Sequence, residues 1–139
     1  MINIIIAILQ LVLVTGLVLF WIIFFKTTNK SADKSEIYLT HERSFPIPDL
    51  GLIAPTLVIS AIGLLIGNSI GIFFTILSAG ALYFLGLIDL AFNVNARKGD
   101  YKSKEDQMTS YIIISLVLTL ATINLIYGLI EFNNMCILF

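Results

Sequence analysis

The sequence predicts an all-α integral membrane protein, a single transmembrane domain over residues 1–139 folded as an antiparallel four-helix bundle with both termini outside. Three observations carry that prediction. Hydrophobic residues make up 58% of the chain and charged residues 12%, against about 25% charged in soluble domains. The apolar residues fall into long runs of about one or two times the roughly 20 residues an α-helix needs to cross a hydrocarbon core. All eight Lys and Arg lie in two polar segments between those runs: Lys26, Lys30, Lys34 and Arg43 in the first, and Arg97, Lys98, Lys102 and Lys104 in the second.

The first span, about 2–25, is uncharged and has Trp21 near its far end, the position of an interface anchor. It is too long for a signal-peptide core, has no basic residue before it and no small-residue cleavage site, so it is expected to remain in the mature protein. A polar loop follows over 26–48, beginning KTTNKSADKSE, with a short interfacial piece around Ile37 to Leu39. From Pro48 to Val94 run 47 residues with only two charges, Asp49 and Asp89, about twice what one helix can use. The stretch GNSIG, 67–71, supplies two glycines and Asn68 for a tight turn, which divides the run into spans at about 49–66 and 69–93. A second polar loop covers 94–107, and the fourth span about 108–132.

With four spans the two basic loops share one side. By the positive-inside rule that side is cytoplasmic, which leaves both termini and the 67–71 turn outside. The expected location is therefore a cell membrane, crossed several times; frequent Ile, Asn and Lys suggest a prokaryotic cytoplasmic membrane.

Span three carries a stripe at helical spacing, Thr75, Ala79, Leu82, Gly86, Asp89 and Asn93, with Ser78 and Gly80 beside it. Small members of such a stripe are packing surface, where backbones approach closely. In span four, Ser115, Thr119 and Thr122 form a hydroxyl row expected to bond backbone or a neighbour. Asn124, Tyr127 and Glu131 form a second row toward the outer end. Gly63, Gly67 and Gly71 resemble a small-residue dimer repeat, but the turn interrupts it.

Asp49 and Asp89 each lie about 20 residues from the midpoint of the turn, hence at one depth, about 30 Å below it. After FPIP, Asp49 stands at a helix start, where it can cap free N–H groups and suits the positive end of the dipole. Asp89 sits in the last turn of its helix, where the dipole disfavours negative charge, and so it needs a partner. Arg43, His41, Arg97 and Lys98 are the candidates from the adjoining loops; a proton shared with Asp49 or a bound cation are the alternatives. An ion pair tying loop to helix and a ligand, proton or cation site both satisfy the pattern. Pro55 lacks the N–H that would bond the carbonyl of Gly51, one turn from Asp49, so Gly51 joins Asp49, Asp89 and Asn93 as a candidate ligand- or cation-binding residue.

Catalytic signals are poor. His41 is the sole histidine, the sole cysteine is Cys136, and no zinc-binding His pair, nucleophile elbow or phosphate-cradling glycine loop occurs. No cofactor is legible, the identity of any metal is left open, and enzyme activity is the less favoured reading. The basic loops are diluted by Asp33, Glu36, Glu42, Asp100, Glu105 and Asp106, so nucleic acid is not an expected partner. The expected partners are the lipid bilayer and either further copies of the chain or a larger membrane complex.

The runs SFPIPDLGL, IGLLIGNSIGIFF and AGALYFLGLIDLAFN, with GDY shortly after, resemble a type of small prokaryotic four-span protein found in families of unknown function. The matching residues are Phe45, Pro46, Asp49, Gly63, Gly67, Gly71, Gly80, Gly86, Asp89, Asn93, Gly99 and Tyr101. The resemblance covers about 44–101 and implies no activity. Two functions stay open: a component that binds or transports a cation, proton or small cationic ligand through a cytoplasm-facing polar site, and a non-catalytic structural or accessory subunit of a membrane complex.

Overall fold

The computed structural model describes residues 1–32, 34–95 and 104–137, and among these the regular structure is entirely helical. In chain order the elements are α1 (Ile2–Lys26), a 3-10 turn (Thr28–Lys30), α2 (Glu36–Glu42) and α3 (Pro46–Pro48). A π-helical turn (Asp49–Ile53), α4 (Ala54–Leu65), α5 (Ile70–Asn95) and α6 (Lys104–Ile137) complete the chain. Among the described residues four stretches are long and apolar enough to cross a membrane: Ile2–Lys30, Glu36–Leu65, Ile70–Asn95 and Lys104–Ile137. The last overshoots the apolar run of 108–132 at both ends. Hydropathy marks only the apolar part of a helix, whereas backbone hydrogen bonding continues into polar flanks, helped by Glu105 and Asp106 at the positive end of the dipole.

Successive long helices run in opposite directions, as two packing clusters show. At one end Ile6 and Ala7, early in α1, meet Ala61 and Leu64 at the end of α4, Ile72 at the start of α5 and Tyr127 late in α6. At the other, Trp21 and Phe24 late in α1 pack with Phe45, Ile53, Leu57, Leu82, Leu85 and Val117. Helix α4 packs on α1 and α5, and α5 packs on α6.

Helix α4 ends in a Schellman motif: the N–H of Asn68 bonds Gly63 O at 2.8 Å, that of Gly67 bonds Leu64 O at 3.3 Å, and Gly67 takes φ +68°. Asn68 Oδ1 then accepts from the Ile70 N–H at 2.9 Å to start α5. The hairpin closes with backbone against backbone at Gly63 and Gly71, where a Cβ on Gly63 would lie 2.6 Å from Gly71 Cα. These glycines thus serve the intramolecular hairpin.

Beneath that turn a buried polar chain ties the four helices together. Ser60 and Thr75 hydroxyls lie 2.6 Å apart, and Gln10 Nε2 donates to Thr75 Oγ1 at 3.4 Å and to Asn124 Oδ1 at 3.3 Å. In a low-dielectric interior such interhelical bonds favour one arrangement of the bundle. The hydroxyl row of α6 does what its sequence suggested: Ser115, Thr119 and Thr122 donate to the carbonyls four residues back, and Thr122 also meets Tyr83. The outside of the bundle is apolar, with Val12, Phe73, Phe84, Ile112 and Leu116 exposed.

Candidate functional site

The site lies at the end of the bundle opposite the 67–71 turn, and it begins with the chain's only tryptophan. The aromatic run of α1 turns Trp21 inward, where it is 3% exposed. Its Nε1 donates to Asp49 Oδ2 at 3.0 Å. This corrects the expectation of an interface anchor: the indole is a buried donor that holds a carboxylate. Asp49 in turn does not cap a helix. The turn Pro46–Pro48 carries the helical path into it, and its own N–H bonds Phe45 O at 2.9 Å. The π turn follows, with Ala54 N–H donating to Asp49 O, a register change that precedes the missing N–H of Pro55. Asp49 is 3% exposed, and its Oδ1 has no hydrogen-bond partner among the described residues.

The second wall comes from α2, which starts where Ser35 Oγ accepts from the Tyr38 N–H at 3.2 Å. Helical spacing of three and four places Tyr38, His41, Glu42 and Phe45 on adjoining lines of one surface. Tyr38 hydrogen-bonds Glu42. The His41 ring stacks on Phe92 at 3.7 Å between centroids and meets Phe45 edge-on at 4.8 Å. Its Nε2 donates to Asp89 Oδ1 at 3.0 Å. The histidine therefore answers the dipole problem of Asp89, because it supplies a donor to a carboxylate placed at a helix C-terminus.

Arg43, the other described candidate, does not reach Asp89. It bonds Glu36 Oε1 at 2.9 Å and Asn29 Oδ1 at 2.7 Å, bracing α2 against the loop before it. Arg97 and Lys98 lie outside the described residues, as do Gly99 and Tyr101. A salt bridge between Lys34 and Asp106 fastens the same loop to the start of α6.

Between these walls is a cavity of about 440 Å³. Glu42, Asp49 and Asp89 all line it with Asn93 and the aromatic residues Phe20, Trp21, Tyr38 and Phe45; Lys34, paired with Asp106, and Thr109 and Ser110 line it too. The three carboxylates repel one another across this space. Among the described residues no Lys or Arg pairs with Glu42, Asp49 or Asp89. Nor does any group of three His, Cys, Asp or Glu side chains converge closely enough to hold a metal ion. The arrangement is an acidic, aromatic-walled space wider than one ion.

Asp49 and Asp89 line one cavity, and Asn93 lines it with them, its Nδ2 donating to Asp89 O at 2.8 Å. Gly51 does not take part: it is exposed and lies off the cavity wall. Glu42 was not legible as a site residue, because a carboxylate in a mixed-charge loop reads as solvated. The discriminating signal was the i, i+4 pairing of Tyr38 with Glu42 and of His41 with Phe45 behind a Ser35 cap. Comparison with family models, with curated proteins and with solved structures finds no match.

Proposed function

We propose that this protein is a multi-pass cell-membrane protein, with both termini outside, that binds a small organic cation in the acid-lined cavity at its cytoplasmic end. One observation carries the reading: Asp49 keeps a buried carboxylate oxygen without a partner among the described residues, on the wall of a cavity that Glu42 and Asp89 also line. Burying a charged carboxylate without a compensating charge is costly, and a cation seated against it offsets that cost together with the repulsion of its neighbours. Aromatic faces beside the carboxylates add cation–π attraction, which suits an ammonium group spread over several atoms. The apolar exterior and the confinement of all eight Lys and Arg to two loops support the bilayer as surroundings and the orientation.

A second reading, a structural or accessory subunit, is favoured by His41. Stacked on Phe92 and bonded to Asp89, it locks α2 onto α5 and gives Asp89 a role without any ligand.

Trp21 separates the two. It is the only tryptophan and touches Asp49, so its emission reports the cavity. Titration of the purified protein with tetramethylammonium is expected to shift that emission saturably in wild type and not in Asp49→Asn. Native mass spectrometry of the same sample reads any retained cation and the number of chains. A flat titration with no retained mass favours the structural role.

A further inference from the structure

The cavity does not end at its carboxylates. From Asp49 and Glu42 it continues along Leu13, Gly16 and Leu17 of α1 and along Ile113 and Val117 of α6. Those two helices are not packed against each other along their length: α1 leans on α4, and α6 on α5. They meet through the Gln10–Asn124 hydrogen bond, toward the opposite end of the bundle. The result is a groove with an acidic end and an apolar body. At its mouth Gly16 is exposed, and a Cβ placed there meets nothing within 4 Å. Exposed apolar side chains, Leu116 and Phe20 among them, border the same opening.

We propose that the ligand is a single-chain cationic amphiphile, whose ammonium head lies against Asp49, Glu42 and Asp89 and whose alkyl chain lies in the groove between α1 and α6. This inference rests on the acid-lined cavity as a cation site and adds the chemical class and the route. Charge complementarity fixes the head: the polar end presents three carboxylates, none of them paired with a Lys or Arg among the described residues. Along Leu13, Leu17, Ile113 and Val117 the walls are aliphatic and suit the tail, whereas the polar part of the lining, Lys34 paired with Asp106 and Thr109 and Ser110 in the first turns of α6, belongs to the head's end of the groove. About 440 Å³ is room for on the order of a dozen groups the size of a water molecule, which takes roughly 30 Å³ in the liquid. The groove opens on the side of the bundle, so an amphiphile dissolved in a bilayer reaches the carboxylates head-inward without crossing the aqueous phase.

Trp21 lies where head and chain join, and bromine quenches indole at contact. The full-length protein in phosphatidylcholine nanodiscs is titrated with three probes: tetramethylammonium, an alkyltrimethylammonium brominated on its chain, and the same brominated chain on a zwitterionic phosphocholine head. The two brominated probes are compared at equal mole fraction in the bilayer, so that partitioning is matched. The expected result is saturable quenching of Trp21 by the cationic probe only, half-complete at a concentration at least about tenfold below that of tetramethylammonium. Asp49→Asn is expected to abolish saturation. Gly16→Leu, which fills open space in the groove, is expected to weaken the brominated cation about tenfold and leave tetramethylammonium unchanged.

Equal quenching by the cationic and zwitterionic chains, or an unaltered response in Gly16→Leu, overturns the chain-binding groove; a persisting tetramethylammonium response then leaves the cation site standing. No saturable response to either cation overturns both. Circular dichroism of each variant confirms that a lost response is not lost folding.

Discussion

Trp21 donates to one carboxylate oxygen of Asp49, Oδ2 at 3.0 Å, while the other, Oδ1, is buried and has no partner among the described residues. Half of this carboxylate is structural and half is free to act. The halves separate by substitution. Asp49→Asn keeps an oxygen for the indole and removes a buried charge, so it is expected to unfold at the same temperature as wild type or higher. Asp49→Leu strands the buried indole N–H and is expected to lose about 1–3 kcal/mol. Thermal unfolding in detergent reads both. A clear destabilisation of Asp49→Asn would mean that the carboxylate already holds a cationic partner within the protein.

Because Asp49, Glu42 and Asp89 repel one another across one cavity, removing one charge changes what removing the next achieves. The stabilities of Asp49→Asn, Asp89→Asn and the double variant are therefore expected not to add, with a coupling of about 0.5 kcal/mol or more. Asp89→Asn alone is expected to lose no more than about 1 kcal/mol, since its pair with His41 is partly exposed and an amide can still accept from the ring. Additivity, unchanged by tetramethylammonium, would remove the case for a shared site.

The four apolar spans, the turn at 67–71 and the common depth of Asp49 and Asp89 were legible because each follows from one-dimensional quantities: run length, turn formers and rise per residue. What sequence left open depends on which way a side chain turns. Trp21 has the position of an interface anchor, and only the packing of α1 on the π turn makes it an internal donor. Gln10 is one amide in an apolar run, and its role as a link between Thr75 and Asn124 needs the fold to bring residues more than sixty positions apart together. Arg43 and His41 were both candidates for Asp89, as were Arg97 and Lys98, because all four lie in the loops that adjoin its end of the helix. The bond from Arg43 to Glu36, seven residues back, took the arginine out of reach.

The glycines of the hairpin are expected to differ sharply in tolerance. A Cβ at Gly71 would lie 2.5 Å from the backbone nitrogen of Leu64, which cannot move without separating α4 from α5. At Gly86 the nearest atom is Cδ2 of Leu118, at 2.7 Å, the far end of a flexible side chain. Gly71→Ala is thus expected to lose about 2–3 kcal/mol and Gly86→Ala about 1 kcal/mol or less, within the range of overpacked interiors. Gly86→Leu, which adds three more carbons to a buried face, is expected to weaken packing more than Gly86→Ala. The order of unfolding temperatures in one detergent decides this; a Gly71→Ala protein as stable as wild type would mean that the helices do not cross so closely.

The proposed orientation turns on charge asymmetry and is open to direct chemical test. Cys136 is exposed near the end of α6, and Ser44 is exposed in the polar segment between α2 and α3, at the opposite end of the bundle. With both basic loops cytoplasmic, a membrane-impermeant maleimide is expected to label Cys136 in intact cells. In a Cys136→Ser background, Ser44→Cys is expected to resist the reagent until the membrane is permeabilised. Denatured controls establish that each thiol can react. The reverse pattern would place the acid-lined cavity on the outer side, where the eight basic residues would stand against the positive-inside rule. Labelling of both thiols in intact cells would point to a chain inserted in two directions, in which the Lys and Arg of the two loops do not determine topology.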